Sequence, residues 1–171
     1  MSDTPESIPS EAGAPDAAPA APEVPEVPEV SAASDGLSFR IETALTAMGL
    51  AYTAVSDNAF LLNVADQPVL VRTTDTVPNV LRVISEWRTG EEVPTDRLTR
   101  LEACNDVNGG LPGVKCGLNG DDVIFAAEEI TSVDTDVRAM IIFGIEAIGA
   151  GTRAWLDRVH ELAGRQAAPT S

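Results

Sequence analysis

The sequence predicts an α+β fold: an antiparallel sheet of about five to six strands with flanking helices, in the order α-β-β-β(-β)-α-β-β-α. Three observations carry this. Residues 51–88 hold short alternating segments separated by two-residue polar turns, which is the pattern of antiparallel hairpins. Three other stretches repeat apolar residues at helical spacing. The strands fall in two blocks and do not alternate one by one with helices, which argues against a parallel sheet.

The first helix is read from Leu37, Ile41, Leu45 and Met48, with Gly49 as its stop. "AYTAVS" (51–56) and "AFLLNVA" (59–65) follow, joined at Asp57-Asn58, and a turn at Asp66-Gln67 leads into "PVLVRTT". "NVLRVISEW" puts Leu81, Val83 and Trp87 on one side and Arg82, Glu86 and Arg88 on the other, so this meander has one wet face. "VPTDRLTRLEACNDVNGG" reads as a second helix, with Thr95 as N-cap, Asp96 at the positive end of the dipole, Leu98 and Leu101 as its apolar stripe, and Gly109-Gly110 as its end. "GVKCGL" and "DVIFAAEEI" form a hairpin across residues 119–122. From about Asp134 a long helix presents Val137, Met140, Ile141, Ile145, Ile148, Trp155, Val159 and Leu162 on its inner face.

The 171 residues divide into a tail over 1–36, a domain over 37–164 and a short end over 165–171. Residues 1–36 carry eight acids, no base and no aromatic, and are expected to be disordered because they cannot bury enough apolar surface to offset chain entropy. Within them "PEVPEVPEV" (22–30) favours a polyproline II path of about 28 Å at roughly 3.1 Å per residue. This is either a solvated tail or a recognition element. Residues 165–171 are expected to be disordered as well.

Acidic residues outnumber basic ones 27 to 11, for a net charge of -16. Such a surface repels phosphate backbones and anionic bilayers, so neither nucleic acid nor membrane is an expected partner. The acidic start has no signal-peptide core, and the longest apolar run, "AMIIFGIEAIGAG" (139–151), is interrupted by Glu146 and too short to span a bilayer. A cytoplasmic protein with reduced cysteines is expected.

Both cysteines lie in "RLEACNDVNGGLPGVKCG" (100–117). Cys116 alternates with Val114 and Leu118 on the core face of a strand, and Cys104 sits one turn after Leu101, so both read as small buried hydrophobes. No CxxC exists and the single histidine, His160, is remote, so neither metal nor cofactor is expected. Asn105 and Asn108 share a helical face with Leu98 and Leu101. An inward amide must be bonded, which suits it either to clamp the Gly-Gly-Leu-Pro-Gly loop or to hold a ligand.

Taken together, "LRVISEW" with Trp87, the helix ending in Asn105 and Asn108, then Pro112 and Lys115, a hairpin and a long last helix resemble the YbjN family over about residues 37–163. Val107 stands where that family usually has Trp, and Gly113-Val114 separate Pro112 from Lys115. The resemblance implies a scaffold like that of type III secretion chaperones and a bacterial sensory or regulatory role, with no known reaction.

Two functions follow. The first is a non-catalytic regulatory or chaperone-like module that binds another polypeptide at a sheet edge or beside the last helix. There Gly144, Ala147, Gly151 and Ala154 form a small-residue stripe, which either packs on the chain's own sheet or makes a homodimer. The alternative is a small enzyme with a carboxylate pocket. Its candidate pairs, Glu91-Glu92, Asp121-Asp122 and Glu128-Glu129, are adjacent in sequence, so within a strand their side chains diverge. No catalytic residue is assigned, since no phosphate loop, nucleophile elbow or HExxH is present.

Overall fold

The computed structural model describes residues 31–74, 76, 77, 79–90 and 93–167. Of the expected tail over 1–36, residues 1–30 lie outside the described residues, as do the pair Glu91-Glu92 and residues 168–171 of the expected end over 165–171. Three helices and six strands follow the predicted order: α1 (Ser31–Ala47), β1 (Tyr52–Ser56), β2 (Ala59–Val64), β3 (Gln67–Thr73), β4 (Val80–Trp87), α2 (Arg97–Gly110), β5 (Lys115–Asn119), β6 (Asp122–Ile130) and α3 (Val137–Ala167). The strands make one antiparallel sheet in the order β1-β2-β3-β4-β6-β5.

All three helices pack on one face of this sheet. Strand positions that point toward them are buried: Phe60 and Leu62, Val69 and Val71, Leu81 and Val83, Val123, Phe125 and Ala127. Leu37, Ile41 and Leu45 of α1 and Ile141, Ile148, Trp155 and Val159 of α3 close the core. Truncating a residue such as Phe125 or Trp155 here costs about 3–5 kcal/mol, because the cavity collapses only in part.

Local chemistry sets the element ends. Helix α1 stops in a Schellman motif: Gly49 takes φ +67, its N–H reaches the Thr46 carbonyl, and the Leu50 N–H reaches the Leu45 carbonyl. It begins at Ser31, six residues before the first apolar residue of its stripe. The β2–β3 turn is Ala65-Asp66, not Asp66-Gln67: both turn residues have positive φ, as a tight hairpin requires, and Gln67 pairs with Val64. Gly120, at φ +61, turns β5 into β6.

Helix α2 departs most from its sequence reading. Asp96, not Thr95, is the N-cap, and its carboxylate accepts from the Thr99 N–H at 2.8 Å and from the Thr99 hydroxyl at 2.6 Å. The Thr99 bonds hold the Asp96 carboxyl below the usual range. Leu98 and Leu101, expected inside, are 61% and 38% exposed. The buried positions are Thr99, Arg100, Ala103, Cys104 and Val107, a face turned by one residue. The buried Arg100 causes this turn: its guanidinium donates to the carbonyls of Pro94 (2.6 Å) and Asp121 (2.9 Å), latching the helix to the β5–β6 turn, while its own carbonyl accepts from Trp155 Nε1 (3.3 Å). Small residues at 103 and 104 let α2 lie close to α3.

Helix α3 begins under an Asp136 cap and follows the predicted inner face. Its small-residue stripe faces the chain's own sheet. A Cβ at Gly144 would meet Val83 Cγ2 at 2.6 Å, and one at Gly151 would meet Val114 Cγ1 at 3.0 Å. The stripe is therefore internal packing and not a seam between copies. The run 139–151 lies within a longer helical stretch, Val137–Arg165, that is long and apolar enough to cross a membrane by length and composition. In this fold its apolar side forms the domain core.

Candidate functional site

The α2–β5 corner holds part of the sequence motif. Asn108 clamps Cys116 with both ends of its amide: Oδ1 accepts from the Cys116 N–H at 2.7 Å and Nδ2 donates to the Cys116 carbonyl at 3.0 Å. The amide thus takes the place of a neighbouring strand on β5, which is the last strand of the sheet. Asn105 does not share this role. It is exposed, and its side chain has no hydrogen-bond partner among the described residues, because the inward face of α2 is turned away from it. Gly113 enters the strand at φ +79 beneath the ring of Phe143.

Asn108, Pro112 and Lys115 line one cleft of about 480 Å³, together with Val80, Leu111 and Glu128. Trp87 is elsewhere, packed edge-on against Trp155 with ring centroids 5.9 Å apart. Of the acid pairs within the described residues, Glu128 and Glu129 do diverge: Glu128 lies opposite Arg82, and Glu129 lies opposite Leu81 on the helix side. Lys115 and Arg82 both pair with Glu128 and hold its carboxyl below the usual range. An ionised carboxylate occupied by two cations is a poor proton donor or acceptor near neutral pH. Among the described residues, no three His, Cys, Asp or Glu side chains converge as metal ligands would.

The sheet face away from the helices has a different character. Residues directly opposite across its ladders run Thr53–Leu61–Leu70–Ile84–Ala126–Lys115. Four successive members of this row are apolar and sit on the face that no helix among the described residues covers. Leu61 is 38% exposed; Leu70, Ile84 and Ala126 are half-buried by their neighbours alone. Ile124 extends the apolar area to one side, and Arg72, Arg82 and Glu128 form a charged row on the other. A shallow cleft of about 350 Å³, lined by Tyr52, Thr53, Leu61, Asn63 and Pro68, opens where this face meets β1.

Strand β1 is the other end of the sheet, and it is almost wholly exposed. Val55, beside an irregularity in the β1–β2 register, stands 54% exposed. Among the described residues, no element covers the outer edge of β1 as α2 and Asn108 cover that of β5. The sequence reading named a sheet edge without saying which, and it missed the apolar row. The signal was present: Leu61, Leu70 and Ile84 occupy the wet phase of their strands, where alternation calls for polar residues.

No protein-family model matches the chain, and no curated protein matches it. Solved structures that are similar include two of known origin. One is YbjN from E. coli, at a TM-score of 0.49 and 12% identity over 74% of this chain and 90% of that one. The other is a chain of the heterodimeric ExoU–SpcU complex from the type III secretion system of Pseudomonas aeruginosa, at a TM-score of 0.43 and 18% identity over 71% of this chain and 96% of that one. At these identities neither says what this chain binds.

Proposed function

We propose that the chain is a non-catalytic module, regulatory or chaperone-like, that binds an extended segment of another polypeptide along β1 and across the open sheet face. The observation that carries this is the apolar row Leu61–Leu70–Ile84–Ala126, uncovered among the described residues, beside the edge strand β1, which pairs with β2 on one side only. An exposed edge supplies main-chain hydrogen bonds to an added strand, and adjacent apolar pockets read alternate side chains. Exposed, flat edges are hazards unless covered, which favours a strand as the occupant. The acidity of the whole chain favours partners with basic flanks and an association rate that falls with salt. The tail over residues 1–36 is dispensable for folding on this reading, since among the described residues the core begins at Leu37.

The test is selection from a random peptide library displayed on phage, followed by competition with the Leu61→Asp and Leu70→Asp variants. Apolar extended peptides that bind the native chain and lose at least tenfold on both variants, about 1.4 kcal/mol, support the proposal. Peptides insensitive to both variants contradict it. So does turnover on a broad substrate panel that is lost when one carboxylate is changed.

A further inference from the structure

The two cysteines are not independent buried hydrophobes. Cys104 on α2 and Cys116 on β5 bring their sulfurs to 3.2 Å, with the Cys116 thiol donating to Cys104 Sγ. Both are buried, at 3% and 8% exposure, and both are free. Their placement is over-determined: Asn108, one turn along the same helix from Cys104, grips the backbone of Cys116 from both sides. We propose that this pair is an oxidative modification site, a dithiol that closes to an intramolecular disulfide on exposure to a peroxide and locks α2 to β5.

The step balances with hydrogen peroxide as the oxidant. Cys104, as thiolate, attacks one peroxide oxygen; the O–O bond breaks and the leaving hydroxide takes up a proton to become water. The resulting sulfenic acid is attacked by Cys116, the S–S bond forms, the S–O bond breaks, and a second water leaves. Two thiols are oxidised by two electrons in all, and one peroxide is reduced to two waters. The order of attack follows from the contact. The hydrogen bond from Cys116 holds the Cys104 thiol below the usual range, and the same contact, with burial, pushes Cys116 far above it. On this contact the proposed order gives Cys104 the first step and Cys116 the resolving one, which the two serine variants test.

The bond would close the loop 105–115, which contains Leu111, Pro112 and Gly113 of the cleft described above. It would add a covalent tie in parallel with the Asn108 clamp. Closing a short loop restricts the unfolded chain, so the oxidised protein should be more stable.

The full-length protein is treated with a small excess of hydrogen peroxide, quenched with an alkylating agent, and analysed by intact mass and by digestion without reductant. The expected result is a mass lowered by two hydrogens, one Cys104–Cys116 linked peptide, and a thermal midpoint raised by several degrees and restored by dithiothreitol. Cys116→Ser should accumulate a sulfenic acid at Cys104 that dimedone traps, whereas Cys104→Ser should leave Cys116 unmodified under the same treatment. Addition of oxygen atoms without a linked peptide, disulfides between two chains, or thiols that survive in the native protein but oxidise once it is unfolded in urea would each overturn the proposal. If the serine variants fail to fold, the linked peptide from the native chain still decides.

Discussion

The two faces of the sheet differ in how they treat apolar residues, and so do its two edges. On the helix face Val83 is wholly buried, and α3 lies so near that a single Cβ at Gly144 would collide with it. On the opposite face Ile84, the next residue of the same strand, is half-buried, with none of the described helices above it. At one edge an asparagine amide and a helix finish β5; at the other, β1 ends in solvent. A face that is packed to contact has reached its final partner. A face that is apolar and uncovered has not, and the open face and the open edge adjoin each other at Leu61 and Thr53.

The largest effect should come from breaking the packed face. Gly144→Leu drives a side chain into Val83, and because backbone and strand cannot both yield, the domain should fail to fold or lose well over the 1–3 kcal/mol typical of overpacking, by about twofold or more. Circular dichroism and urea titration check this. A folded, dissociated species from a stable dimer would instead restore the intersubunit reading of the stripe.

The closed edge sharpens the contrast next. Asn108→Ala leaves the Cys116 N–H and carbonyl without their partner, and should cost about 1–3 kcal/mol in denaturant. Asn105→Ala, three residues earlier and without such side-chain bonds, should stay within about 0.5 kcal/mol. Equal effects at the two positions would mean that the clamp is not what holds the corner.

That pair of asparagines also shows what the sequence could and could not say. Element order and the strand faces were legible because period-two alternation in β4 and β6 is local: Leu81, Val83, Phe125 and Ala127 declare their side without reference to anything distant. The face of α2 was not, because it is chosen by long-range bonds. Arg100 is drawn inward by the carbonyls of Pro94 and Asp121, and it takes the helix with it, leaving Leu98 and Leu101 outside and Asn105 without a task. Of the motif residues, Asn108, Pro112 and Lys115 do converge, whereas Trp87 serves the core beside Trp155. The sulfur pair was hidden because its members belong to different elements, and only the docking of α2 on β5 brings them together. The alignment of the apolar row was hidden for a similar reason: its residues belong to four strands, and only the register brings them side by side.

The smallest effect lies at the charged margin of the open face. Glu128 has its folded-state pKa lowered by Lys115 and Arg82, so the stability it contributes is present above the ordinary glutamate value, about 4.3, and is lost as pH falls through the lower folded value. Glu128→Gln should flatten the acid limb of the stability profile only slightly, as the pair is partly exposed and screened. A steeper acid limb in the variant would reverse the sign of this pairing.

Amide hydrogen exchange of the full-length protein, with and without a library-selected peptide, tests the central claim most directly. If an added strand docks on the open edge, the amides of Tyr52–Ser56 gain protection on binding, and the Leu111–Val114 loop does not change. Protection confined to that loop and the α2–β5 corner, with β1 exchanging as fast as in the free protein, would contradict it.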